Sequence, residues 1–246
     1  MHRAIRNEKM LASDLDGTVL GDDCALRQLA RWIDENRDTL SLVYVTGRFF
    51  ESVAELIAAG DLPEPDAVIA AVGTSIHLYP SGEVVEEWRD RVGDRWDART
   101  VRRVLQGQES LRLQSEELQS EFKVSYYADD ADRQTLETWR RKLQFAGIDA
   151  EMIYSSRRDL DFLPIGMNKG SAVAFLAERW SIAPENILVS GNTGNDIALF
   201  EQGLAGIIVA NAEPELKRLN GPHIYHARYA CASGVLEGIR HMWEPK

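Results

Sequence analysis

Short apolar blocks alternate along the first third of the chain with stretches whose apolar positions recur every three or four residues. Residues 10–13 form one block, which stops at Asp14-Leu15-Asp16-Gly17, where Asp-Gly marks a turn. Between 26 and 40, Leu26, Leu29, Ala30, Ile33 and Leu40 fall mostly at helical spacing. Residues 42–45 are apolar and end at Thr46-Gly47-Arg48; 53–59 read as a helix with Glu51 and Glu55 on its polar side. Residues 67–72 form another block, ending at Gly73-Thr74-Ser75. The last third repeats the alternation, with a helix at 172–180, a strand at 187–190, a helix at 197–202, a strand at 206–210 and a closing helix at 234–242. Fully apolar strands alternating with helices predict a parallel sheet covered on both faces.

The middle has a different texture. From 83 to 166 it is charged and bears Trp88, Trp96 and Trp139, expected to pack inside this segment. Phe122-Lys123-Val124-Ser125-Tyr126-Tyr127 alternates as a strand with one wet face. Residues 132–146 read as a helix with Leu136, Trp139, Leu143 and Ala146 on one side, and 151–154 and 160–163 as short strands. This predicts an α+β insert at 83–166 in a discontinuous α/β domain made of 1–82 and 167–246.

Composition adds exclusions. The 246 residues carry 28 basic and 39 acidic side chains, a balance of −11 that disfavours nucleic acid and anionic membranes as partners. Cys24 and Cys231 lie far apart with no metal-binding spacing. The first residues, Met-His-Arg-Ala-Ile-Arg-Asn-Glu-Lys, lack the apolar core of a signal peptide, and no apolar run is long enough to span a bilayer. A cytoplasmic location is the expectation.

The strand tips hold the candidate chemistry, where ligands bind in open α/β sheets. Asp14 and Asp16, two apart on an extended segment, point to one side and suit a divalent cation or a nucleophile–acid pair. An exposed acidic turn is the other reading. Thr46 and Gly47 suit a phosphate oxygen or a simple capped turn, and Arg48 a ligand or the surface. Lys169 stands at a helix start, against the dipole's preference, which points to an anionic partner, with a solvated lysine as the alternative. In Gly191-Asn192-Thr193-Gly194-Asn195-Asp196, one Asn or Asp serves as helix cap; Asn192 and Asp196 suit a hard cation.

Together these motifs strongly resemble the haloacid dehalogenase superfamily of phosphohydrolases. The resemblance implies a Rossmann-like parallel-sheet core with an inserted α+β cap of the C2B type. Ala71-Val72-Gly73-Thr74, Lys123-x-Ser125-Tyr126 and Ser155-Ser156-x-x-Asp159-x-Asp161-x-Leu163-Pro164, just before Asn168-Lys169-Gly170, are similar to the sucrose-phosphate phosphatase branch. Mannosylfructose-phosphate phosphatases share most of them. One position departs: the usual metal-binding carboxylate is Asn192, an amide without formal charge.

The resemblance implies a Mg²⁺-dependent phosphatase acting through an aspartyl-phosphate. Asp14 would be the nucleophile and Asp16 the acid and then the base. Thr46, Gly47, Lys169 and Asn195 would bind phosphate. Asp14, Asp16 through its backbone carbonyl, Asn192 and a supporting Asp196 would serve the metal. Arg48, Lys123, Ser125, Tyr127, Asp159 and Asp161 are the candidate sugar residues. Lys123, Ser125 and Tyr127 share one strand face, with a solvated face as the bland alternative. Sucrose 6-phosphate is the first substrate expected and mannosylfructose phosphate the second, supplied by an upstream glycosyltransferase. Asn192 keeps open a different class, a catalytically weakened sugar-phosphate-binding partner of that transferase, and a phosphotransferase is a third reading.

Overall fold

The computed structural model describes residues 8–244, so the reading of residues 1–7 as no signal peptide lies outside the described residues. The chain opens with β1 (Lys9–Ser13), α1 (Asp23–Asn36), β2 (Leu40–Val45), α2 (Phe50–Ala58) and β3 (Ala67–Ala70). Then come β4 (Ser75–Leu78), β5 (Glu83–Val84), α3 (Glu86–Arg89) and α4 (Ala98–Leu105). A second group follows: β6 (Arg112–Leu113), β7 (Val124–Tyr127), α5 (Arg133–Phe145), β8 (Ala150–Ser155) and β9 (Asp159–Pro164). The chain ends with α6 (Lys169–Arg179), β10 (Ile187–Gly191), α7 (Ile197–Phe200), β11 (Ala205–Ile208), α8 (Pro214–Lys217), β12 (Ile224–His226) and α9 (Cys231–Trp243).

The larger sheet runs β12-β11-β10-β1-β2-β3-β4-β5, parallel from β12 to β3 and antiparallel beyond. The chain adds β2 and β3 on one side of β1 and later β10 to β12 on the other. This reversal at β1 opens a crevice at the carboxyl ends of the central strands. Every residue of β2 is buried, as the continuous apolar run requires of a strand covered on both faces. The smaller sheet is antiparallel, in the order β6-β7-β9-β8. Its own core gathers Val101, Leu105, Val124, Trp139, Leu143 and Phe162.

Four details differ from the sequence expectations. Leu40 opens β2 beside Lys9 instead of closing α1. Asn36 Nδ2 donates to Trp32 O (2.7 Å) and Thr39 N–H to Asn36 O (3.0 Å), which ends the helix in a turn. The third apolar block stops at Ala70, because Ala71 and Val72 take left-handed backbone (φ 50° and 62°). Their N–H groups fold back to donate to Arg48 O (2.8 Å) and Thr46 O (2.9 Å). The expected wet face of β7 is covered: Lys123 and Ser125 are as buried as Val124 and Tyr126, Lys123 lying over Phe49 of the larger domain and Ser125 bonded to Leu118, Gln119 and Asp161.

Finally, β5 pairs with β4 in the larger sheet, and Trp88 packs in the larger core, donating its Nε1–H to Gly73 O at 2.9 Å. The division between the two cores thus lies after Trp88, not at residue 83, with Phe162 in the smaller core and Met167 in the larger. Of the three tryptophans only Trp96 and Trp139 pack with the smaller core. Short strands such as β5 and β12 carry too few residues for a periodic signal.

Candidate active site

Asp14 leaves the end of β1 with its N–H donating to Ser190 O (3.0 Å) on β10, so the neighbouring strand fixes its backbone. Beneath it, Ser190 Oγ donates to Ser13 Oγ (2.7 Å) and Ser13 Oγ to Asp14 O (2.9 Å). The carboxylate is gripped from two sides: Thr18 Oγ donates to Oδ2 (2.9 Å) and Lys169 Nζ to Oδ1 (2.8 Å). Thr18, in the first turn after the strand, was not singled out by sequence. It closes the run Asp14-Leu15-Asp16-Gly17-Thr18, a motif more specific than Asp-x-Asp-Gly alone, in which the sequence reading attached no role to the threonine.

Lys169 is the first residue of α6 and is completely excluded from solvent. Asn168 caps this helix through a capping box with Ser171, so the lysine's position is set by a local, sequence-coded device. Gly73 permits the approach: at φ +98°, a Cβ there would overlap the Asn168 carbonyl group. Lys169 Nζ meets Asp14 Oδ1 (2.8 Å), Asn195 Oδ1 (2.8 Å) and Asp196 Oδ1 (2.6 Å). Burial pulls the lysine pKa down, but Asp14 and Asp196 outweigh it and hold it above the ordinary range. One ammonium cannot neutralise two buried carboxylates. Burial, with the charge of Asp196, pushes the Asp14 pKa up to about 7, against the opposing pull of Lys169 and Thr18.

Asp16 and Arg48 form a two-pronged pair, with Nε to Oδ2 at 2.8 Å and Nη2 to Oδ1 at 2.7 Å. Arg48 therefore stands beside the acid candidate on the larger domain. Thr46, fully buried at the tip of β2, accepts the Arg48 N–H on its Oγ (3.1 Å). A Cβ on Gly47 would meet only Val72 Cγ2, at 3.8 Å, so packing does not demand glycine there.

The loop after β10 supplies the amide donors. Asn192 Nδ2 packs where a Cβ of Gly17 would be, and Gly17 has φ +76°. Asn192 Oδ1 is buried with no hydrogen-bond partner among the described residues. An acceptor left unpaired in a protein interior is costly and calls for a ligand. A hard cation suits such an acceptor, because the candidate ligands, the Asp14 carboxylate, the Asp16 carbonyl and the Asn192 amide oxygen, are all oxygens. Among the described residues no three His, Cys, Asp or Glu side chains are placed together to hold a metal, and this loop offers the amide Asn192. Asp196 stands behind: Oδ1 takes Lys169, and Oδ2 accepts the N–H groups of Asn192 (2.9 Å) and Thr193 (3.0 Å). Two of its three bonds go to N–H groups of its own loop, so Asp196 braces that loop.

The smaller sheet gathers most of the remaining candidates. Ser125 on β7 and Asp161 on β9 are register partners, joined by a 2.5 Å hydrogen bond from Ser125 Oγ to Asp161 Oδ1. Lys123 Nζ lies 4.0 Å from the same oxygen and 5.1 Å over the ring of Phe49, from the larger domain. Asp159 accepts from Gln114 Nε2 (3.0 Å), a buried glutamine that sequence reasoning passed over because nothing local marks it. Burial raises the Asp159 pKa. Tyr127 is flanked by the guanidinium groups of Arg112 (5.2 Å) and Arg158 (4.3 Å).

A family model described as sucrose-6F-phosphate phosphohydrolase matches residues 7–243. The chain belongs to that family. Among its relatives, this family member is 37% identical to the mannosylfructose-phosphate phosphatase of Agrobacterium fabrum, covering 95% of this chain and 96% of that protein. It is 34% identical to sucrose-phosphatase 2 of Nicotiana tabacum, covering 94% of this chain but 58% of that protein. The sucrose-phosphatase of Synechocystis sp. PCC6803, solved with sucrose and phosphate, superposes with a TM-score of 0.90 at 35% identity, over 96% of this chain and 98% of that one. A haloacid dehalogenase-like hydrolase from B. subtilis, at 17% identity, shares the fold alone, with a TM-score of 0.71 over 94% of this chain and 98% of that one. The sucrose-6F-phosphate phosphohydrolase family member described here is thus a phosphoric monoester hydrolase with a haloacid dehalogenase fold and cap. No described helix is long and apolar enough to cross a membrane.

Proposed function

We propose that the protein hydrolyses a disaccharide phosphate, sucrose 6-phosphate first and mannosylfructose phosphate second, by way of a phosphorylated Asp14. One observation carries this reading: the buried Asp14–Lys169–Asn195–Asp196 cluster and the Arg48–Asp16 pair meet at one sheet edge, facing a second sheet with a polar, buried Lys123–Ser125–Asp161 group. Its substrate would come from the glycosyltransferase that joins the two sugars.

Asp14 attacks phosphorus in line, and the bond from phosphorus to the sugar oxygen breaks. Protonated Asp16 gives its proton to that oxygen. Water then attacks the acyl phosphate, Asp16 takes the water's proton, and inorganic phosphate leaves with Asp14 restored. Lys169, the Thr46 hydroxyl, the Gly47 N–H and Asn195 hold phosphate oxygens; the space at Gly47 suits that approach. For Asp16 to act, Arg48 must loosen its grip, and an incoming phosphate dianion competes for the guanidinium. Mg²⁺, held by Asp14, the Asp16 carbonyl and Asn192 with Asp196 behind, would neutralise charge on the transferring phosphoryl oxygens. Asp14 and Asp16 in place speak for turnover rather than binding alone.

The test is phosphate release from a panel of disaccharide and monosaccharide phosphates, with Mg²⁺ and with a chelator. Release from disaccharide phosphates that needs Mg²⁺ is expected. No release from any sugar phosphate would sink the reading, and transfer to an added alcohol would favour a phosphotransferase.

A further inference from the structure

The hairpin turn between β8 and β9 is where the smaller sheet meets the catalytic loop. Its central residues, Ser156 and Arg157, both take left-handed backbone (φ 53° and 51°) although neither is glycine. The turn closes on itself through Arg158 N–H to Ser155 O (3.1 Å). The Ser156 N–H points out of the hairpin instead, and Glu213 Oε2 accepts it at 3.1 Å.

A second contact lies beside it. A Cβ on Gly194 would stand 2.9 Å from Tyr154 O and 3.3 Å from Ser155 Cα. The turn's backbone therefore rests on Gly194, inside the loop that carries Asn192, Asn195 and Asp196. Glu213 reaches that loop too, donating its N–H to Asn192 O at 2.7 Å. Glu215 packs beside it, against Gly194 and within reach of the Ser156 N–H, but it is Glu213 that joins the turn through its side chain to the loop through its backbone.

We infer that Glu213 is a positioning residue that seats the β8–β9 turn on the catalytic loop, and so sets selectivity for large sugar esters without touching substrate. The inference rests on the phosphatase reading above. Asp159 and Asp161 follow the turn directly on β9, so the seat fixes where the sugar-facing residues stand over Asp14. A disaccharide phosphate must touch both sheets at once. A small aryl phosphate needs only the Asp14 side of the cleft, and its hydrolysis does not depend on the seat.

Glu213→Ala and Glu213→Gln test this. Alanine keeps the backbone N–H to Asn192, and the Glu213 side chain makes no capping bond to α8. Steady-state kinetics with sucrose 6-phosphate and p-nitrophenyl phosphate are compared with amide exchange of segment 154–158. For Glu213→Ala, kcat/KM on the sugar ester should fall about three- to tenfold, the usual net effect of one lost hydrogen bond. The aryl ester should change by less than about twofold. The segment should exchange faster, and Glu213→Gln, whose amide oxygen still accepts, should recover most of both losses. Equal loss on both esters, or unchanged exchange, overturns the proposal. If the wild type releases phosphate from the aryl ester but from no sugar ester, the substrate reading fails. Exchange alone then decides the seat: faster exchange in Glu213→Ala upholds it and unchanged exchange overturns it.

Discussion

Lys169 Nζ stands 2.6 Å from Asp196 Oδ1 with both side chains wholly excluded from solvent. Neither charge has water to fall back on, so each depends on the other. Lys169→Met would leave Asp14 and Asp196 facing one another with no cation. Breaking a buried pair from one side costs about 3–5 kcal/mol. We expect a loss of that order in urea unfolding of the metal-free protein. Phosphate release should also fall by a factor of about 100 or more, since the same ammonium serves the phosphate.

The raised Asp14 pKa has a signed consequence for stability. Its carboxyl ionises near 4 in an unfolded chain but only at about 7 in the metal-free fold. Below the unfolded value both states are protonated and ionisation costs nothing. As pH climbs from about 4 through about 7, the unfolded chain ionises first and the fold loses stability relative to it. Asp14→Asn removes this term. In chelator, the variant should be more stable than wild type at pH 8 by about 1–3 kcal/mol, and the gap should close towards pH 4. A gap that widened on acidification would reverse the assignment.

Asn192 lets the metal reading be checked apart from turnover. Its Oδ1 is buried without a partner among the described residues, and its amide brings no charge. Asn192→Asp would add a carboxylate to the same oxygen set. Mg²⁺ binding followed by calorimetry should tighten about tenfold or more, because charged oxygens hold hard cations better. Unchanged affinity would mean that Asn192 is not a ligand.

Gly73 is the hinge on which Lys169 is placed. A Cβ at φ +98° would overlap the carbonyl carbon and oxygen of Asn168, and this is backbone that cannot swing aside. Gly73→Ala should destabilise by about 2–4 kcal/mol through strain and overpacking. Because the displaced residues start α6, activity should fall more than stability alone explains, which a thermal melt beside a rate measurement separates.

The candidate site is legible in sequence to the extent that its residues cluster at strand tips: Asp14 and Asp16, Thr46, Lys169, and the 191–196 loop are local motifs on predicted elements. Lys169 also announced itself by sitting where a helix dipole disfavours it. What was not legible are contacts made by distant segments. Nothing near Gln114 or Glu213 marks them, and their partners Asp159 and Ser156 lie 45 and 57 residues away. Leu40 misled because it fits the helical spacing from Ile33, and only the turn at Asn36 diverts it to the sheet. Lys123 and Ser125 alternate like a solvated face, and only the fold brings Phe49 over the one and Leu118 and Gln119 over the other.

Asp161 gives the cap reading its sharpest test. It accepts the Ser125 hydroxyl at 2.5 Å and is the nearest anion to Lys123, which is buried against Phe49. Asp161→Asn keeps the shape and the acceptor oxygen but removes the charge, leaving a buried ammonium without its counter-ion. The aryl ester p-nitrophenyl phosphate does not need this group, so its kcat/KM should stay within about twofold. A sugar phosphate that hydrogen-bonds to the carboxylate should lose about 1.5–3 kcal/mol of binding, a rise in KM of about tenfold or more. Asp161→Asn should therefore cost stability, and Asp161→Ala, which also frees Ser125, should cost more. If Asp161→Asn instead slowed both esters equally, the Lys123–Ser125–Asp161 group would be holding the fold, and the sugar would be recognised elsewhere.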